Sequence, residues 1–222
     1  MKALSGTARW TIAVLAVVAA LVVALVAQLR DDAAPSATTQ APVQREHRDA
    51  DTPAALAGPR QQANLAPCPG TGGGAGGADD ARGPADLRGV VVECAADGAA
   101  VDVAKALAGR RVVVNLWAYW CAPCTAELPA MAEYQRRVGS EVMVITVHQD
   151  ENEAAALLRL AELGVRLPTL QDGRRRVAGA LRVANVMPAT VVLRPDGSVA
   201  QTLPRAFGSA DEIAAAVGNG AG

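Results

Sequence analysis

The sequence predicts an α/β domain, a mixed β-sheet flanked by helices, carried behind an N-terminal transmembrane anchor helix. Three observations support this. Short β-branched runs alternate with helix-period segments from residue 86 onward, the alternation ends in a hairpin with a Pro-Asp-Gly turn, and residues 11–27 carry no charge. Such an order places one site at a strand-to-helix junction.

The chain has 222 residues and a formal net charge of -1. That length fits one domain of ordinary size with extra segments, and the near-neutral charge gives no reason to expect a nucleic-acid partner. Apolar residues make up 51% of the chain but aromatics only 3%. Much of the apolar content is Ala and Val, so composition overstates the core.

The N-terminus takes a large share of it. Lys2 and Arg9 precede "TIAVLAVVAALVVALVA", and Arg30, Asp31 and Asp32 follow. With its flanks the stretch makes a span over residues 10–29, about 30 Å as a helix and long enough to cross a bilayer. Leu25 two positions before Ala27 suits a signal peptidase poorly, so an uncleaved anchor is expected. The positive-inside tendency puts residues 1–9 in the cytoplasm and the rest outside the cell membrane. Residues 30–85 read as a flexible tether and Gly-rich loop. His47 within it is a solvated residue, and "PGTGGGAGGADD" lacks the Gly-Lys-Ser/Thr ending of a phosphate loop.

Residues 86–222 form the expected domain. "GVVVEC" is a short strand, "VDVAKAL" a second apolar piece, and "RRVVVNLWA" a strand buried on both faces. "TAELPAMAEYQRRV" suits a helix bent at Pro129, with Leu128, Met131, Ala132 and Val138 inward. "EVMVITV" is a buried strand, "ENEAAALLRLAELG" a helix closed by Gly164, and "RRRVAGALRV" a shorter helix. "MPATVVLRPDGSVAQTL" is the hairpin, and "SADEIAAAVG" a last helix capped by Ser209.

Cys121 and Cys124 stand where a strand gives way to a helix, with Pro123 tolerated in the first turn. The helix N-terminus stabilises an anion, so the Cys121 thiol should ionise more readily than a free one, and a thiolate is what attacks a disulfide. Cys124, one turn on, is placed to release the product by closing an internal bridge. Zinc fits poorly because Cys68 and Cys94 are 26 residues apart and neither has a close Cys or His neighbour. No metal or other cofactor is expected. A purely structural bridge across so short a loop would contribute little. Cys68 and Cys94 read as a structural disulfide closing the Gly-rich loop, worth about 3 to 4 kcal/mol by chain entropy. A second redox relay is the competing reading, and it lacks a helix N-terminus.

"VVVNLWAYWCAPCTAELP" followed by "VMPATVVLRPDGSV" resembles the thioredoxin superfamily, and most closely its membrane-anchored TlpA/ResA-like branch. The resemblance covers roughly residues 86–218 and implies a thioredoxin fold. It implies that Cys121 is the nucleophile and Cys124 the resolving thiol. It also implies that Pro188 is a cis-proline beside the pair, and that Met187 offers backbone hydrogen bonds to a substrate with Trp120 as a site wall. Glu127 matches the branch's buried acid, which tunes the thiols and takes a proton from Cys124. Read from the residue alone, Glu127 does no more than favour the first turns of a helix. Where cytoplasmic thioredoxins carry a buried Asp, this chain has Asn115, which cannot titrate.

The resemblance implies a thiol:disulfide oxidoreductase that keeps the Cys pair of apocytochrome c reduced, with electrons from a membrane thiol carrier. The same chemistry run backwards, as an oxidase of secreted proteins, is the alternative. A third is a non-catalytic binding module. A peroxidase would place a threonine three before its reactive Cys, where this chain has Ala118. His148 reads as a satisfied polar residue at a strand end and Arg174 to Arg176 as a solvated face.

Overall fold

A computed structural model describes residues 51–70 and 83–218. The anchor expected over residues 10–29, and most of the tether and Gly-rich loop, lie outside the described residues. Among the described residues no helix is long and apolar enough to cross a membrane.

The described chain runs through helix α1 (Pro53–Ala63), a 3-10 turn (Ala85–Leu87), β1 (Val91–Cys94), β2 (Ala100–Asp102), α2 (Val103–Ala106), β3 (Val112–Trp117) and α3 (Ala122–Val138). It continues with β4 (Met143–His148), α4 (Glu153–Leu163), β5 (Thr169–Gln171), α5 (Arg176–Ala180), β6 (Ala189–Leu193), β7 (Val199–Leu203) and α6 (Ala210–Gly218). The strands form one sheet in the order β2-β1-β5-β4-β3-β6-β7. β3, β4 and β5 are parallel neighbours, while β1, β2, β6 and β7 pair antiparallel. The sheet is mixed.

Side chains of β3 alternate between two apolar layers, as the period of two requires. Val113 and Trp117 join Leu128 and Met131 of α3, Leu157 and Leu160 of α4, and Ile213 of α6. Val112, Val114 and Leu116 join Val103 of α2 and Val177 of α5. A strand covered on both faces tolerates only apolar or fully bonded residues, which is why β3 reads as an unbroken apolar run around Asn115.

The structure differs from the sequence expectation at four points. Residues 53–63 were expected to belong to the tether, and they form a helix in the same compact unit as the sheet. Thr52 caps it by accepting from the Ala55 N–H, Pro53 opens its first turn, and Asn64 closes it in the left-handed region at φ 44°. Only Leu56 and Ala63 are buried, so the helix hides no long apolar stripe for a sequence reading to find. β5 also went unforeseen, being three residues long directly after Pro168. The apolar piece "VDVAKAL" divides into β2 and the one-turn α2, because Asp102 accepts from the Lys105 N–H at 3.2 Å and starts a helix there. Within α3, Tyr134 is buried where Ala132 and Val138 were expected, and those two only flank the core.

Candidate active site

The parallel strands β3, β4 and β5 end together, with Trp117 opposite His148 and His148 opposite Gln171. Beyond Trp117 the chain turns at Ala118, whose C=O accepts from the Cys121 N–H at 3.0 Å. Cys121 is then the N-cap of the 17-residue α3, and its Sγ accepts from the Cys124 N–H at 3.3 Å. The two sulfurs are bonded to each other at 2.04 Å. Cys121 is 6% exposed and Cys124 is wholly covered. The helix terminus therefore directs the Cys124 N–H and the positive end of its dipole at the sulfur of Cys121, the less covered of the two residues.

Glu127, one turn beyond Cys124, is fully buried. Its Oε1 accepts from Asn115 Nδ2 at 2.5 Å and its Oε2 from the Phe207 N–H at 3.0 Å. Burial pushes its pKa up from 4.5 to about 7, against the smaller downward pull of the Asn115 and Phe207 hydrogen bonds. A carboxyl held there exchanges a proton readily at neutral pH.

The Met187–Pro188 peptide is cis. β6 starts at Ala189 opposite Leu116, so Pro188 lies at the same end of the sheet as Trp117. Met187 packs against the buried cluster that contains Cys121 and Cys124. Trp120, 58% exposed, donates its indole N–H to Asp150 Oδ2 at 2.9 Å.

Cys68 and Cys94 are joined at 2.06 Å. They lie in the apolar layer of Val112 and Leu116, whereas Cys121 and Cys124 lie in the layer of Val113 and Trp117. The sheet thus separates the two disulfides. Among the described residues no cluster of His, Cys, Asp or Glu is placed to hold a metal ion.

His148 is buried and bonded to Gln171, as a satisfied polar side chain is. Burial lowers its pKa, against the opposing Gln171 hydrogen bond and the Asp150 charge. Arg174 and Arg176 face solvent, but Arg175 is held by Gln149 and by Asn185. Sequence reasoning missed Asp150, Gln171 and Phe207. The first two sit just where two parallel strands end beside the Cys pair, a signal open to anyone who had placed β5. Phe207 acts through its backbone, which leaves no trace in residue type.

Residues 88–202 match the family described as AhpC/TSA. The chain belongs to the AhpC/TSA family. Among its relatives, the thiol-disulfide oxidoreductase ResA of Bacillus subtilis (strain 168) is 32% identical over 98 residues, 44% of this chain and 54% of that protein. Thioredoxin 1 of Synechococcus elongatus is 37% identical over 76 residues, 32% of this chain and 67% of that protein. This AhpC/TSA chain spans about half the length of the ResA relatives it matches. The solved structure of MTB dsbF, in mixed oxidised and reduced forms, superposes with a TM-score of 0.54 at 24% identity, over 62% of this chain and 98% of that one. That likeness is one of fold, and the fold is thioredoxin-like α/β.

Proposed function

We propose that this chain is a thiol:disulfide oxidoreductase acting on protein substrates outside the cytoplasmic membrane, anchored through residues 10–29. We further propose that it works as a reductant which keeps the Cys pair of apocytochrome c open for haem attachment. The observation that carries the chemistry is the Cys121–Cys124 pair, bonded across the first turn of α3 with Cys121 slightly exposed and Cys124 wholly covered. The oxidoreductase names of its ResA relatives support the same reading.

In the reduced protein the Cys121 thiolate attacks one sulfur of the substrate disulfide. A bond forms between the two, the substrate S–S bond breaks, and its other sulfur leaves as a thiolate that picks up a proton. Cys124 then passes its proton to Glu127 and attacks Cys121 Sγ, closing the internal bridge and expelling the second substrate sulfur. Two electrons have moved from the Cys pair to the substrate. A membrane thiol carrier returns them. Trp120, Met187 and Pro188 border the groove in which the extended substrate segment lies.

The test is trapping. Cys124→Ser should accumulate mixed disulfides through Cys121, and Cys121→Ser/Cys124→Ser should accumulate none. Apocytochrome c among the trapped chains supports the reductant. Trapped exported proteins without it, together with intact haem-bound cytochrome c in cells lacking the protein, would replace it with the oxidase reading. A couple at about -250 mV or below marks a reductant, and one at about -120 to -180 mV an oxidant.

A further inference from the structure

We propose that His148 and Gln171 are positioning residues that lock the Trp120 indole beside Cys121 by closing a ring of hydrogen bonds. The inference rests on the reading above, in which Trp120 borders the substrate groove.

The ring is traced atom by atom. Trp120 Nε1–H donates to Asp150 Oδ2 at 2.9 Å. The Asp150 C=O accepts from Gln171 Nε2 at 2.6 Å. Gln171 Oε1 lies 2.8 Å from His148 Nδ1, and His148 Nε2 lies 3.4 Å from the Tyr119 N. The Tyr119 N–H is a donor, so His148 Nε2 accepts, Nδ1 carries the proton, and Gln171 Oε1 accepts that proton. Tyr119 precedes Trp120 in the chain, so their peptide bond closes the ring.

His148, Gln171 and Asp150 are held from outside as well. His148 and Gln171 are paired residues of adjacent parallel strands, so the sheet sets their spacing. The Trp117 ring lies 5.0 Å from the imidazole, centroid to centroid. Asp150 Oδ1 accepts from the Asn152 N–H at 2.9 Å at the start of α4. Gln171 uses both ends of its amide, donating to one neighbour and accepting from the other. No apolar side chain supplies that pair of contacts, and a carboxylate at this position would lose the donor.

The ring matters because more than half of Trp120 is exposed. An exposed side chain normally samples several rotamers and must be ordered when a partner binds, at a cost in affinity. A pre-ordered indole avoids that cost. Loosening it should therefore weaken substrate binding and leave the sulfur chemistry, which belongs to Cys121 and Cys124, nearly untouched.

The experiment compares the full-length protein with Gln171→Met. The Trp120 indole 1H–15N resonance is identified by its loss in Trp120→Phe, and its exchange with deuterium is followed. Removing the amide should speed that exchange about 5- to 10-fold, the worth of one hydrogen bond. KM for a disulfide-bonded peptide should rise by a similar factor, with kcat held within about twofold. His148→Asn keeps an amide near the Nδ1 position but loses the acceptor for Tyr119, and should give a smaller change in the same direction. Unchanged indole exchange in both variants overturns the ring. So does wild-type exchange as fast as that of free tryptophan, a result that needs no variant to fold. A freed indole with unchanged KM overturns the positioning role. Wild-type protein without thiol exchange would sink the proposed function instead, and the indole measurement would still decide the ring.

Discussion

Asn115 Nδ2 and Glu127 Oε1 lie 2.5 Å apart inside the core, joining β3 to α3 directly behind the Cys pair. Asn115 cannot titrate, so this contact supplies a fixed donor to a carboxyl that burial has moved to about 7. Replacing Asn115 with Leu removes the donor and should drive the Glu127 pKa higher still. The alkaline rise of thiol exchange should move to higher pH in step, and 13C-carboxyl NMR of Glu127 checks the shift directly.

Glu127 should also shape stability against pH. Its folded pKa is raised above the ordinary 4.5, so its contribution is fully present below about pH 4.5 and is lost as pH climbs through about 7. Urea unfolding of the oxidised protein across that window should show stability falling by about 2 to 3 kcal/mol from this group. Glu127→Gln should flatten the slope, whatever it does to the absolute value.

Access decides which thiol reacts. In the reduced protein, iodoacetamide should modify Cys121 well before Cys124, because Cys121 is 6% exposed and Cys124 is wholly covered. The Cys121 reaction should reach half its maximal rate below the ordinary thiol value of about 8.5, since it caps α3. Peptide mapping by mass spectrometry reads both outcomes, and equal labelling would contradict the assignment of roles.

Removing the Cys68–Cys94 bond as Cys68→Ala/Cys94→Ala should cost about 2 to 5 kcal/mol of stability. The Cys121/Cys124 potential should stay where it was, because the sheet lies between the two pairs. Denaturant midpoints and glutathione titrations of the double variant give both answers.

Arg60 fastens α1 to the domain. Its Nη2 lies 2.9 Å from Glu153 Oε1 on α4 and 3.6 Å from Glu93 on β1. Arg60→Met leaves the buried Glu153 without its main partner and should destabilise by about 3 kcal/mol. Burial already raises the Glu153 pKa and Arg60 lowers it, so the loss should be larger at pH 8 than at pH 5. Adding Glu153→Gln should recover part of it in thermal melts.

Strong local signals made most of the fold legible. β3, β4 and β6 are apolar runs that pack on both faces, Gly164 closes α4, and Ser209 accepts from the Glu212 N–H as a cap should. The Cys pair could be placed because a strand and a helix flank it. α1 escaped because its stability is tertiary, resting on Arg60, Leu56 and Ala63 rather than on any apolar period. The Asp150, His148 and Gln171 contacts escaped for a related reason. They depend on the register of β4 against β5, and a three-residue strand advertises no register.

The separation of the two sulfur pairs gives the molecule an internal gauge. A mild reductant that opens the Cys121–Cys124 pair should free two thiols per chain, while the pair beneath the other layer stays silent. Four thiols would report that the sheet has parted, so thiol counting doubles as an assay of whether a preparation is intact.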